Sequence, residues 1–127
     1  MTEGLEALTT AALSLALDAA SLRQRAIAAN IANHATEGYV PVTVDFASQM
    51  EDARRALETR GSVDAASLSA VRVELQPMLD ANGRPAKVQL DAQMADMAEN
   101  AVQYQALVRA LSRHFSILAS AASDGKR

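Results

Sequence analysis

Leu5, Leu8, Ala12, Leu15, Ala19, Leu22, Ala26, Ala29 and Asn33 follow one another at spacings of three and four without a break. That recurrence is a heptad a/d seam sustained for about four repeats, and it predicts a helix over residues 5–33. With Leu5 at position a, a second apolar line falls at b and f: Leu13, Leu17, Ala20, Ile27 and Ile31. Narrow polar strips holding Ser14, Asp18, Ser21, Arg23 and Arg25 separate the two lines. An ordinary surface helix has one apolar stripe and a wet opposite face. This one has two, so it is expected to be sandwiched.

The C-terminal third repeats the pattern. Met94, Met97, Ala101, Tyr104, Val108, Leu111, Phe115, Leu118 and Ala122 make a second uninterrupted seam, widened by Leu107, Ala110 and Ile117. It predicts a helix over 91–122, with Asp91 as the candidate N-cap. The signals between the helices, over about 40–88, are shorter. Phe46, Met50, Ala53 and Leu57 fit a brief amphipathic helix that Gly61 would stop. Val71, Val73 and Leu75 alternate with Arg72 and Glu74 as a strand does, and Asn82-Gly83 is a hairpin-turn dipeptide. Pro77 and Pro85 confine any strand to an edge or an end.

The expected fold is therefore mainly all-α and a single domain over 1–127. Its long terminal heptad helices pair as an antiparallel coiled-coil-like hairpin around a short irregular or β-hairpin middle. Helices of about 30 residues span roughly 45 Å each. One hairpin of that length cannot bury both faces of its own first helix. Other chains are expected to supply the rest, which predicts an assembly subunit.

Composition sharpens this picture. Half of the 127 residues are hydrophobic, yet the only aromatic rings of Phe and Tyr are Phe46, Phe115, Tyr39 and Tyr104. Alanine, leucine and valine carry the apolar content, which suits closely packed helices. The net charge of −3 argues against bulk attraction to nucleic acid. The absence of cysteine rules out disulfides and zinc-thiolate sites. No basic n-region opens the chain, so no cleaved signal peptide is expected. The run Ala11 to Leu17 is too short to cross a bilayer, which takes roughly 20 residues.

Candidate chemistry is sparse. His34 and His114 stand apart, with no metal-ligand spacing around them. Asp91, Asp96 and Glu99 fall in the first turns of a helix, where they favour the dipole. Arg54, Arg55 and Arg60 make a small basic cluster interrupted by Glu58, which reads as a solvated face. There is no Gly-rich phosphate loop, Ser-centred elbow or thiol nucleophile. No enzyme, cofactor, metal site or small-molecule substrate is expected.

The end of the first helix is unusual. Asn30 and Asn33 sit in a strong helix although asparagine is a weak helix former. Asn33 falls at position a, where a buried polar residue fixes register and partner number. Asn30 lies on the e strip and is expected to tolerate change better. Local bonding at a helix end explains both asparagines equally well.

The stretch Ala28-Ala29-Asn30-Ile31-Ala32-Asn33, followed by Thr36-Glu37-Gly38-Tyr39, resembles the N-terminal signature of the bacterial flagellar rod, hook and hook-filament junction family. The familiar form has proline where this chain has Glu37. Residues 88–118 resemble the C-terminal segment of that family's small proximal rod members, and the short chain agrees, since distal rod and hook members carry an added outer domain. The resemblance implies a subunit of the axial tube of the basal body, exported by the flagellar type III apparatus and assembled with copies of itself and other rod proteins. The interface residues it suggests are Leu8, Leu15, Leu22, Asn30, Ile31, Asn33, Gly38 and Tyr39 on the first half. On the second half they are Met94, Met97, Tyr104, Leu111, Phe115 and Leu118. A cytoplasmic helical adaptor or export chaperone, or another small rod member of that family, remains the alternative.

Overall fold

A computed structural model of the chain describes residues 2–126 and is mainly helical. Helix α1 covers Thr2–Ala32, and α5 covers Leu90–Asp124. Between them lie β1 (Val42–Thr43), α2 (Phe46–Gln49), α3 (Glu51–Arg60), α4 (Ala65–Ser69) and β2 (Gln76–Pro77). Alanine and leucine, the strongest helix formers, dominate both long helices. Polar contacts descend α1 as they ascend α5, from Asn30 with Gln93 to Gln24 and Ala20 with Asn100. The two helices thus run past each other in opposite directions.

By length and composition, the segment Gly4–Ala32 of α1 is long and apolar enough to cross a membrane. The short run Ala11 to Leu17 understated this, because alanines extend the apolar character on both sides.

The middle is more helical than its sequence signals suggest. Asp45 caps α2 by accepting from the Ser48 amide at 3.1 Å, and Asp64 caps α4 from the Ser67 amide at 2.7 Å. Each satisfies an amide that a helix start leaves unpaired. Gly61 follows α3 at φ 71°, a left-handed conformation suited to glycine.

The strand expected at Val71–Leu75 does not form. The Gln49 side chain instead donates to the Glu74 carbonyl at 3.0 Å and accepts from its amide at 3.2 Å. An amide side chain thus takes the place of a neighbouring strand. The true β pairing lies just beyond, antiparallel, with Val42 opposite Pro77 and Thr43 opposite Gln76. The Asn82-Gly83 turn is present. Gly83 has φ 76°, Asp80 Oδ1 accepts from the amides of Asn82 and Arg84, and Leu79 bridges Pro85.

The middle segment also changes the reckoning of cover. Leu15 of α1, Ala53 of α3 and Leu68 of α4 form a buried cluster. Leu8, Ala11, Phe46, Met50, Val63, Val71 and Val73 pack around it. One face of α1 meets α5, and another is covered by the chain's own middle. At the start of α5, Gln89 occupies the cap position with no side-chain bond, and Asp91 lies inside the first turn instead of capping it.

Candidate functional site

Where α1 ends, the chain turns back on itself. The Tyr39 amide donates to the Thr36 carbonyl at 3.2 Å, with Gly38 between them at φ 78°. A type II turn demands positive φ at that third position, which glycine supplies. Proline commonly fills the second position, and Glu37 occupies it here without preventing the turn.

The turn carries Tyr39 and Val42 onto Asn30. The Asn30 amide nitrogen donates to the Val42 carbonyl at 2.8 Å and to Gln93 Oε1 at 3.0 Å. Its oxygen accepts from the Tyr39 hydroxyl at 2.8 Å and the Val42 amide at 2.9 Å. Asn30 is 1% exposed, and these four bonds use both of its donors and both acceptor positions. One side chain therefore joins α1, β1, the turn and α5.

Seven residues further along α5, Asn100 makes a second polar tie. Its amide nitrogen donates to the Ala20 carbonyl at 2.9 Å and to Gln24 Oε1 at 2.8 Å. Its oxygen is buried and, among the described residues, has no partner. Ala19, Ala20 and Ala26 are buried along α1, and side chains this small let a neighbouring element approach closely.

The two asparagines of the first-helix motif thus take different roles, and the local helix-end bonding expected of either falls to Asn33. Asn33 bonds locally: its amide nitrogen donates to the Ala29 carbonyl at 2.9 Å and its oxygen accepts from the Thr36 hydroxyl at 3.2 Å. It finishes the helix. Asn30, on the e strip, is the buried hub, because the returning turn covers that strip. The heptad pattern described only the helix and had no means of showing what folds onto it.

A similar offset runs along α5. The buried residues are Gln93 and Asn100, and the half-buried line continues through Met97, Leu107, Leu111, His114 and Leu118. That line shares Met97, Leu111 and Leu118 with the apolar seam but takes Gln93, Asn100, Leu107 and His114 in place of the seam residues that follow them. Met94, Tyr104, Val108 and Phe115 of the seam are exposed, as are Val102 and Ile117. On α1, Leu15 is buried and Leu8, Leu22 and Ile31 are half-buried. Gln93 and Asn100 were missed because polar residues were assigned to solvent. Their exact heptad spacing, together with the motif asparagines, was the available signal.

Met94, Tyr104, Val108 and Phe115 form an exposed apolar strip along α5, and Val102 and Ile117 are exposed on other sides of the helix. Among the described residues, no three His, Asp or Glu side chains gather to hold a metal ion.

No family model matches the chain. Curated relatives do. A flagellar basal body rod protein FlgB of Escherichia coli is 32% identical over 114 residues, covering 76% of this chain and 80% of the relative. The chain belongs to the FlgB family of flagellar basal body rod proteins. A FlgB of Salmonella typhimurium is 36% identical over 107 residues, covering 71% of this chain and 75% of its own length. A FlgB of Bacillus subtilis is 28% identical over 121 residues, covering 90% and 92%. A FlgB-family chain is a component of the flagellar rod, and these relatives are named as rod proteins, not enzymes. The exposed apolar strip of α5 therefore belongs to a rod protein.

Proposed function

We propose that this chain is a structural subunit of the proximal rod, linking the membrane base of the flagellum to its drive shaft and transmitting torque. The observation that carries this reading is the exposed apolar strip of α5 in a chain of a rod protein family. Met94, Tyr104, Val108 and Phe115 share that strip, while Val102 and Ile117 are exposed on other sides of the helix. Exposed apolar side chains grouped on one strip mark interaction sites. A shaft that carries torque needs dry contacts between subunits, and this strip offers them.

In this reading the terminal helices form the antiparallel, coiled-coil-like core of one axial domain. Other copies and other rod proteins cover the α5 face within a helical tube. The motif residues Asn30, Ile31, Asn33, Gly38 and Tyr39 shape the end of α1 that meets them. The subunit leaves the cytoplasm through the flagellar type III export apparatus and takes its place in the periplasmic part of the rod.

Complementation of a strain lacking the gene tests this. The wild-type chain should restore swimming and be recovered in purified basal bodies. A variant carrying Phe115→Asp and Ile117→Asp should be made at wild-type level but be missing from them. A cytoplasmic adaptor or export chaperone would remain in the cytosol and never appear in purified basal bodies, which would end the rod reading.

A further inference from the structure

Ala19, Ala20 and Ala26 are buried on α1 and Leu107, Leu111 and Leu118 are half-buried on α5, and seams of alanine and leucine fit one another almost equally well after a slide of one heptad. Uniform apolar seams specify register poorly, whereas single buried polar residues specify it well. The two polar ties lie one heptad apart on α5, at Gln93 and Asn100, and each meets a matched partner on α1. From this we infer that Asn30–Gln93 and Asn100–Gln24 form a register lock that holds α1 and α5 at one axial offset.

The physical reason lies in what a slip would do. Moving α5 by seven residues shifts it by about 10 Å along α1. One such slip sets Leu107 against Gln24 and the Ala20 carbonyl, which Asn100 now satisfies. The opposite slip carries Gln93 towards Gln24 and leaves Asn30 facing the start of α5. Either slip strips buried amides of their partners. Leaving a buried polar group unpaired disfavours the slipped state by on the order of tenfold per group.

The unpartnered Asn100 oxygen separates this role from simple stabilisation. It is a polar atom buried without return. Replacing such a group by an apolar one of similar shape is often neutral or stabilising. Asn100→Leu removes that orphaned oxygen but also takes away the partner of Gln24 Oε1, so it should keep helix content, lower the denaturation midpoint only modestly and lose the single register. The lock is a property of the folded chain and does not depend on the rod reading.

The chain has no cysteine of its own, so introduced pairs report register cleanly. Ser21 and Gln105 border one cavity between α1 and α5. The full-length chain carrying Ser21→Cys with Gln105→Cys reports the native offset, and Ser21→Cys with Ser112→Cys reports a one-heptad slip. A bismaleimide shorter than the slip distance should cross-link the native pair on the order of tenfold faster than the slipped pair in the wild-type background. Adding Asn100→Leu, or Gln24→Leu from the other side, should bring the slipped pair within a few-fold of the native one. If both leucine variants keep helix content and still cross-link only at the native pair, the lock is refuted. If both lose their helix content instead, the amides serve folding alone and the inference fails equally.

Discussion

Helices α1 and α5 are near twins in sequence pattern, each with an unbroken apolar seam, yet the fold treats them differently. In α1, Leu15, Ala19, Ala20, Ala26, Ile27 and Asn30 are buried. In α5 the buried residues are Gln93 and Asn100, both polar, while Phe115 is 50% exposed and Val102 68%. The middle segment covers Leu15 with Ala53 of α3 and Leu68 of α4, and β1, the turn and α5 cover Asn30. Heptad strength alone does not decide burial. More of the chain folds onto α1 than onto α5, whose apolar side chains stay exposed.

The sharpest way to break this comparison is to put the same charge on each helix. Leu15→Asp places a carboxylate in the cluster with Ala53 and Leu68 and should destabilise the full chain by about 3 kcal/mol or more in urea denaturation. Phe115→Asp, on the exposed face, should shift the same transition by less than about 0.5 kcal/mol. Equal losses from the two variants would contradict the asymmetry.

Next in size is the contrast between the asparagines. Asn30→Ala strands the Val42 amide, the Tyr39 hydroxyl and Gln93, and is expected to cost about 3 kcal/mol. Asn33→Ala removes one local helix-end interaction and should cost about 1 kcal/mol or less. The midpoints of the two single variants against wild type decide this, and a larger loss at Asn33 would restore the seam as the guide to that motif.

Amide exchange gives a third, smaller contrast. Amides of residues 15–30 should exchange about tenfold more slowly than those of 104–118 in the isolated full-length chain, because few buried contacts hold the latter. Uniform exchange along both helices would mean that α5 gains its stability within the chain after all.

The smallest effect belongs to exposed charge on α3. Arg54 bonds Glu51 at 2.6 Å and also pairs with Glu58, and its hydrogen bond holds the Glu51 carboxyl down to about 2. A carboxylate held below its unfolded value contributes fully above the ordinary glutamate range and loses that contribution as pH falls through about 2. The pair is solvated, so Glu51→Gln should barely move the denaturation midpoint at neutral pH and should slightly flatten its decline in acid. A large neutral-pH loss would show that α3 depends on this pair more than on Ala53.

The sequence by itself determined the two long helices, their approximate ends, the glycine turn at Gly38, the Asn82-Gly83 turn and the family. All of these are local: periodicity, helix propensity and turn chemistry act over a few residues and leave a readable pattern. Tertiary structure alone decided that Asn30 is the hub, that Gln93 and Asn100 are buried while Met94 and Phe115 are not, and that the middle covers α1. It also decided that Gln49 replaces a strand beside Glu74. These outcomes depend on which distant segment folds against which helix face, and an amide looks the same in sequence whether it meets water or a carbonyl 63 or 80 residues away.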